Sequence, residues 1–292
     1  RQQTRGLSER GVDTTTVVVP GGSGDDPRSP LDYARFYPSV LSRSVTGDYD
    51  VVHANFGLTA PHALAQPRRP VVLSLWGTDV FGPYGWVTRR CVPHVDAVVV
   101  MSKRMADRLD VPCTVIPHGI DLSKFQPLDR ARAKERVGWG HGTRHVIFPY
   151  PPSRTVKNHD VAARVVERTD DRLPGDVELR TLSGVPHDRM SDYYNAAHAL
   201  LLVSDWEGSP NAVKEALACN VPVVSTDVGD VPERLAGVSH SHVCDSEDEL
   251  VDTLASVVRA GARTDGRRAV APLSVERTAD RLRATYDRVL RR

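Results

Sequence analysis

The chain has 292 residues, 40% of them hydrophobic and 26% charged, with a formal net charge of +1. That length allows two domains of ordinary size, each with its own core, and the near-neutral balance excludes a bulk electrostatic case for nucleic-acid binding. No apolar run approaches the ~18 residues of a bilayer-spanning helix. Cys91, Cys113, Cys219 and Cys244 lack metal-site spacing; Cys91, Cys113 and Cys219 fit packing roles, and a reducing cytoplasm is expected.

Residues 1–10 read as a helix closed by Gly11, and 14–19 as a strand. An α/β domain ordinarily opens with a strand and a ligand-binding turn. We therefore expect a first strand and its loop to be absent from the numbered chain. Residues 20–30 form an aperiodic Gly/Pro/Asp loop. Strands are expected at 50–54, 71–75, 95–101 and 114–116, with helical or loop segments between them. Two loops follow strand ends: His53-Ala54-Asn55-Phe56-Gly57 and Trp76-Gly77-Thr78-Asp79. Asp48-Tyr49-Asp50 has the spacing of a metal-binding acid pair, but it immediately precedes a strand and reads as a turn. No catalytic metal is expected.

A second series follows: strand 145–149, helix 158–168, strand 177–182, helix 188–197, strand 199–204. Helices at 247–260 and 275–290 close the chain. The alternation predicts an α/β fold of two Rossmann-like domains with parallel sheets.

The richest stretch is Asp205-Trp206-Glu207-Gly208-Ser209-Pro210-Asn211-Ala212-Val213-Lys214-Glu215-Ala216-Leu217-Ala218-Cys219-Asn220-Val221-Pro222. The apolar run before it, 199–204, suits a strand buried on both faces. Ser209 is placed to cap a helix with Pro210 at its first position, and Asn220 suits the helix stop. Val213, Ala216 and Leu217 form the packing stripe, while Asn211 and Glu215, four apart, share another face. Residues 221–226 make the next strand, completing a β-α-β unit. Glu207 then lies beyond the carboxyl end of a parallel strand, where such sheets bind ligands. The free N–H groups near Pro210 to Val213 favour an anion.

This run, with Glu207 and Glu215 in a Glu-x7-Glu pattern, resembles the retaining group-4 glycosyltransferases of GT-B fold, in which two Rossmann-like domains face a cleft. It looks most like the surface-polysaccharide and teichuronic-acid-type enzymes. The resemblance implies an acceptor-side domain over 1–122, a nucleotide-sugar domain over 123–272 and a terminal helix, 273–292, crossing back to the first. Ile116 to Asp121, with His118 where Asn is commoner, looks like the family's hinge. The absent first loop would be Gly-rich.

The implied activity is a hexosyltransferase: a sugar moves with retention from a UDP- or GDP-sugar to a glycan or lipid-linked acceptor, with no cofactor beyond that donor. Glu207 is implied to contact the donor sugar and Glu215 the ribose. Gly208, Ser209, Pro210, Asn211, Ala212 and Gly229 would lie along the donor. Arg154 and Lys157, in Phe148-Pro149-Tyr150-Pro151-Pro152-Ser153-Arg154-Thr155-Val156-Lys157, would neutralise the leaving diphosphate. The family commonly separates this pair by four residues, and here there are two. His53, Trp76 and Asp79 fall on the acceptor side; many members have His at Trp76, whose ring could instead stack on a sugar. A lipid-linked acceptor would bring the protein to the inner membrane face, although no amphipathic basic helix establishes such contact. Two rival readings stay open: a sugar-nucleotide epimerase on the same architecture, and a non-catalytic nucleotide-sugar-binding protein. Each residue also has a plainer reading. Glu215 could be a surface helix residue, Arg154 and Lys157 a solvated loop pair, Gly229 a turn, and His53 a strand-end histidine bonded to backbone.

Overall fold

The computed structural model describes residues 2–21, 28–67 and 69–291. Its apolar runs become nine strands among the described residues: β1 (Val52–Ala54), β2 (Val71–Leu75), β3 (Ala97–Val100), β4 (Cys113–Val115), β5 (Arg144–Phe148), β6 (Val177–Thr181), β7 (Ala199–Leu202), β8 (Val223–Thr226) and β9 (His242–Cys244). They form two sheets, ordered β1-β2-β3-β4 and β6-β5-β7-β8-β9. Every pairing is parallel, as short Val/Leu-rich runs joined by helices require.

The chain divides into two compact units. Unit 1 comprises Arg1–Pro117 with Glu276–Arg292, and unit 2 comprises His118–Val275. The changeovers thus fall at 117/118 and 275/276, against the expected 122/123 and 272/273.

In unit 1, every residue of β2 is buried. The helix Val275–Leu290 sets Leu282, Tyr286 and Val289 into the same core as Leu73, Val99 and Ile116; spacings of four and three keep them on one helical face. The expected strand at 14–19 does not form. No described strand pairs with it, and Val18 stays 65% exposed; β propensity without a neighbouring ladder gives no sheet. Of the expected 20–30 loop, residues 22–27 lie outside the described residues. The helix Pro30–Thr46 is a further difference from the expected elements: Pro38 inside it argues against a helix, yet its start carries a capping box of Ser29 and Asp32 with Pro30 in the first turn.

In unit 2, the order reverses around β5: the chain steps outward to β6, then returns past β5 to β7. Ligands of open α/β sheets bind beyond the carboxyl ends of strands at such a reversal. The loops leaving β5 and β7 are therefore the ones the topology marks. Strand β9 and the helix Arg130–Val137 also escaped the sequence reading. A three-residue strand and an eight-residue helix with seven polar or small residues give little periodicity to read.

Candidate functional site

The loop after β5 ends in a 3-10 turn, Thr155–Lys157, followed by the helix His159–Asp170. Asn158 joins them at φ 55°, a left-handed conformation that Asn tolerates better than most residues. Its amide donates to the Val203 carbonyl at 3.1 Å and to Asp205 Oδ1 at 2.6 Å. The Asp205 N–H in turn donates to the Val156 carbonyl at 3.0 Å. These bonds tie the β5 loop to the β7 loop and bring Lys157 against Glu207.

Lys157 is 4% exposed and forms an ion pair with Glu207 Oε1. Ser204 donates its hydroxyl to the same oxygen at 2.8 Å. Glu207 Oε2 has no hydrogen-bond partner among the described residues. Burial lowers the Lys157 pKa, and Glu207 opposes that shift. The arrangement is a buried cation held by one carboxylate oxygen, with the second oxygen able to accept from a hydroxyl.

The helix Asn211–Ala218 starts one residue later than expected, with Pro210 as its N-cap and no side-chain cap. The Ser209 hydroxyl instead donates to Asp230 Oδ2 at 2.9 Å: a buried carboxylate outcompetes the helix for it. The first-turn N–H groups, on Asn211, Ala212 and Val213, so keep the orientation that suits an anion. Gly208 is buried.

Glu215 is 8% exposed, not a surface residue. Tyr194 donates its hydroxyl to Oε2 at 2.8 Å, and His187 Nε2 lies 3.1 Å from Oε1. Lys124 Nζ stands 2.5 Å from His187 Nδ1. An ammonium only donates, so Nδ1 accepts and Nε2 carries the proton toward Glu215. Its neighbour Lys214 is 1% exposed and donates to the His118 carbonyl at 2.9 Å; burial pulls its pKa down to about 8.

Gly229 has φ +56°, and a Cβ there would stand 2.7 Å from the Gly208 carbonyl oxygen and 3.0 Å from Glu207 Cβ. Only glycine lets this turn lie so close against the Glu207 loop. Asp230, which the sequence reading passed over, is 2% exposed and holds both Ser209 and Arg234 Nε, the latter at 3.1 Å. Burial raises its pKa, with Lys214 and Arg234 pulling the other way. Arg154 is exposed and forms no ion pair among the described residues; its guanidinium lies 5.9 Å from the Tyr150 ring centre.

The unit 1 candidates are arranged differently. His53 Nδ1 lies 2.6 Å from the Tyr286 hydroxyl and Nε2 2.7 Å from Ser74 Oγ; burial pushes its pKa down to about 4. Its partners are side chains, not the backbone. Asp79, 2% exposed, accepts the N–H groups of Trp76 at 2.8 Å, Gly77 at 2.9 Å and Gly57 at 3.1 Å. Trp76 Nε1 donates to the Asn55 carbonyl at 2.6 Å. Asp79 and Trp76 bind the loops after β1 and β2 to one another, while His53, inside β1, ties that strand to β2 and to the helix Val275–Leu290.

The sequence pattern of Glycosyltransferase Family 4 matches residues 1–124, and that of Glycosyl transferases group 1 matches 157–260. The chain belongs to the group-4 glycosyltransferases. It is 29% identical to the lipopolysaccharide core biosynthesis mannosyltransferase LpsB of Rhizobium meliloti (strain 1021), over 71% of this chain and 69% of that protein. The GDP-mannose-dependent alpha-(1-6)-phosphatidylinositol monomannoside mannosyltransferase of Mycolicibacterium smegmatis is 26% identical, over 80% of this chain and 73% of its own. The solved sucrose-phosphate synthase of Thermosynechococcus elongatus superposes with a TM-score of 0.79 at 17% identity, covering 100% of this chain and 92% of the other. The glycosyltransferase thus has the GT-B fold and works in glycoconjugate biosynthesis. No helix among its described residues is long and apolar enough to cross a membrane.

Proposed function

We propose that this glycosyltransferase takes its sugar from a nucleoside-diphosphate donor held by unit 2 and transfers it with retention to a glycan or lipid-linked hydroxyl. One observation carries the reading: Lys157 is paired with Glu207 beside a helix N-terminus that has no side-chain cap. A diphosphate needs both features, a cation and oriented N–H groups. Glu207 Oε2 is then free to accept a donor-sugar hydroxyl, and Glu215, already oriented by Tyr194, retains lone pairs for a ribose diol. The name of the Mycolicibacterium relative, GDP-mannose-dependent, supports a nucleotide-sugar donor.

In the step itself the anomeric carbon–phosphate oxygen bond breaks as the acceptor oxygen bonds to that carbon. The acceptor proton passes to the departing phosphate. Lys157 and the helix N–H groups stabilise the charge that develops on the diphosphate, and Arg154, exposed at the loop, adds to this when it turns inward. We assign retention to attack from the face the diphosphate leaves, without a covalent enzyme intermediate.

The test is calorimetric titration of UDP and GDP into the protein and its Glu215→Ala variant, followed by turnover with the matching sugar donors. Saturable binding of one nucleotide, weakened by the substitution, supports the donor site. No binding of either by folded protein removes it. Proton NMR of the product's anomeric centre tests retention.

A further inference from the structure

The loop leaving β5 carries an aromatic side chain set against its two cations. Tyr150 stands two positions beyond the strand, packed edge-on against Phe148 with ring centres 5.6 Å apart and an interplanar angle of 78°. Lys157 Nζ lies 4.2 Å from the centre of the Tyr150 ring. Arg154 Cζ lies 5.9 Å from the same centre. One ring therefore carries both cations of the loop. The Tyr150 hydroxyl, by contrast, makes no hydrogen bond among the described residues.

Cations are drawn to the negative face of an aromatic ring, most strongly within ~6 Å of the centre and where water is excluded. Lys157, 4% exposed, meets that condition fully, and Arg154 only at its margin. Without the ring, the flexible lysine stem would be held at its tip by Glu207 alone. That hold is the one a donor would disturb, because a diphosphate competes with Glu207 for the ammonium. The ring cannot be displaced in this way. Both Glu207 and Glu215 also lie close enough to act on the phenol: burial and these two charges raise its pKa well above the ordinary value. Tyr150 so lies near both acids of the Glu-x7-Glu pair and stays a neutral ring at any physiological pH.

We propose that Tyr150 is a positioning residue for the transfer: its ring holds Lys157, and at longer range Arg154, in place for the donor diphosphate when Glu207 releases the ammonium. The inference rests on the donor-site reading above. It deepens that reading by naming the aromatic surface that keeps the cation pre-organised.

The experiment compares Tyr150→Phe, which keeps the ring, with Tyr150→Leu, which keeps bulk but loses the π face, and with Lys157→Met as a control. UDP and GDP are titrated into each variant, the donor KM and kcat are measured, and thermal melting reports folding. Tyr150→Phe should bind nucleotide and turn over within about twofold of the parent. Tyr150→Leu should weaken nucleotide binding and raise the donor KM about tenfold, the scale of a desolvated cation–π contact, while still melting cooperatively. Lys157→Met should lose nucleotide affinity at least as severely.

If Tyr150→Phe is as impaired as Tyr150→Leu, the hydroxyl and not the ring matters, and the proposal is overturned. It is equally overturned if Tyr150→Leu binds and turns over like the parent while Lys157→Met does not; the donor site then survives without its brace. If Lys157→Met leaves binding unchanged, the donor-site reading fails and the brace falls with it. Should Tyr150→Leu fail to fold, Tyr150→Trp is the second variant, and its retention of affinity beside a folded Tyr150→His that loses it decides the same question.

Discussion

The two units both put polar residues at or near strand ends and use them in opposite ways. In unit 1, His53, Trp76 and Asp79 turn their polar atoms into the protein: both His53 nitrogens are engaged, and Asp79 gathers three backbone N–H groups. In unit 2, the loops after β5 and β7 leave capacity open. Glu207 engages one oxygen, and the helix Asn211–Ala218 begins without a side-chain cap. A polar group satisfied by its own chain holds a loop in shape, whereas one left with capacity can take a ligand. Position at a strand end does not separate the two cases; the count of partners does.

The strongest way to break this contrast is to exchange the expected outcomes. Lys157→Met should lower kcat about 10²–10³-fold, the usual loss when a preorganised electrostatic group is removed. It should also destabilise the fold, because Glu207, its side chain 11% exposed, loses its counter-charge. Adding Glu207→Gln should restore stability and leave turnover low. Recovery of turnover in the double variant would show that Lys157 merely balances Glu207. In unit 1, Asp79→Ala should do the reverse. It leaves three N–H groups without their acceptor and should cost about 2–4 kcal/mol of stability, with kcat of the folded fraction little changed. A large fall in kcat at unchanged melting temperature would put Asp79 in the chemistry and erase the contrast.

Much of the fold was legible because it depends on short-range pattern. β2 falls on residues 71–75, and the helices Glu247–Ala260 and Val275–Leu290 keep their expected bounds, because strand burial and helical stripes write themselves into consecutive residues. The Glu207 loop was legible for the same reason: strand, turn and helix lie within one run. What escaped depends on partners distant in sequence. Residues 14–19 have strand-like composition but no ladder. Ser209 was expected to cap its own helix, and the competitor for its hydroxyl, Asp230, is 21 residues away. Tyr194 and His187 reach Glu215 from 21 and 28 residues upstream. Asp79 carries the clearest missed signal, since an acid two residues after a Trp-Gly turn can fold back onto the turn's own N–H groups.

A finer test contrasts two glycines that share a left-handed backbone. Gly229 at φ +56° lies against the Glu207 loop, and Gly11 at φ +73° has nothing within 4 Å of a Cβ. Gly11→Ala should cost about 1 kcal/mol, the backbone penalty alone. Gly229→Ala adds a clash with the Gly208 carbonyl, which is backbone and cannot swing aside. It should cost about 2–3 kcal/mol and raise the donor KM, because the Glu207 loop must move. Calorimetric melting of both variants, with donor kinetics on the second, separates the two terms. Equal melting temperatures would mean that the two loops of unit 2 are not packed as tightly as the contrast with unit 1 requires.

The smallest effect lies in unit 1 and is set by pH. His53 is held between Tyr286 and Ser74, and burial takes its pKa to about 4 from an ordinary 6.5. Between those values the unfolded chain binds a proton that the folded chain refuses, so folding is favoured more as pH rises. The contribution is complete above pH 6.5 and declines as pH falls toward 4. It amounts to no more than about 2 kcal/mol by pH 5. His118, His145 and His198, with pKa values pushed down to about 4, 4 and 3 by burial, act in the same direction in unit 2. The wild-type slope of melting temperature against pH therefore sums both units, and a single substitution must isolate one. His53→Gln keeps a donor and an acceptor for Ser74 and Tyr286 but does not titrate. Its melting temperature should fall less than the wild type's between pH 6.5 and 5, with kcat at pH 7.5 within a few fold. A parallel slope would mean that His53 takes up its proton in the folded state. It would then be open to solvent or to ligand, like the groups of unit 2, and would no longer count among the closed contacts of unit 1.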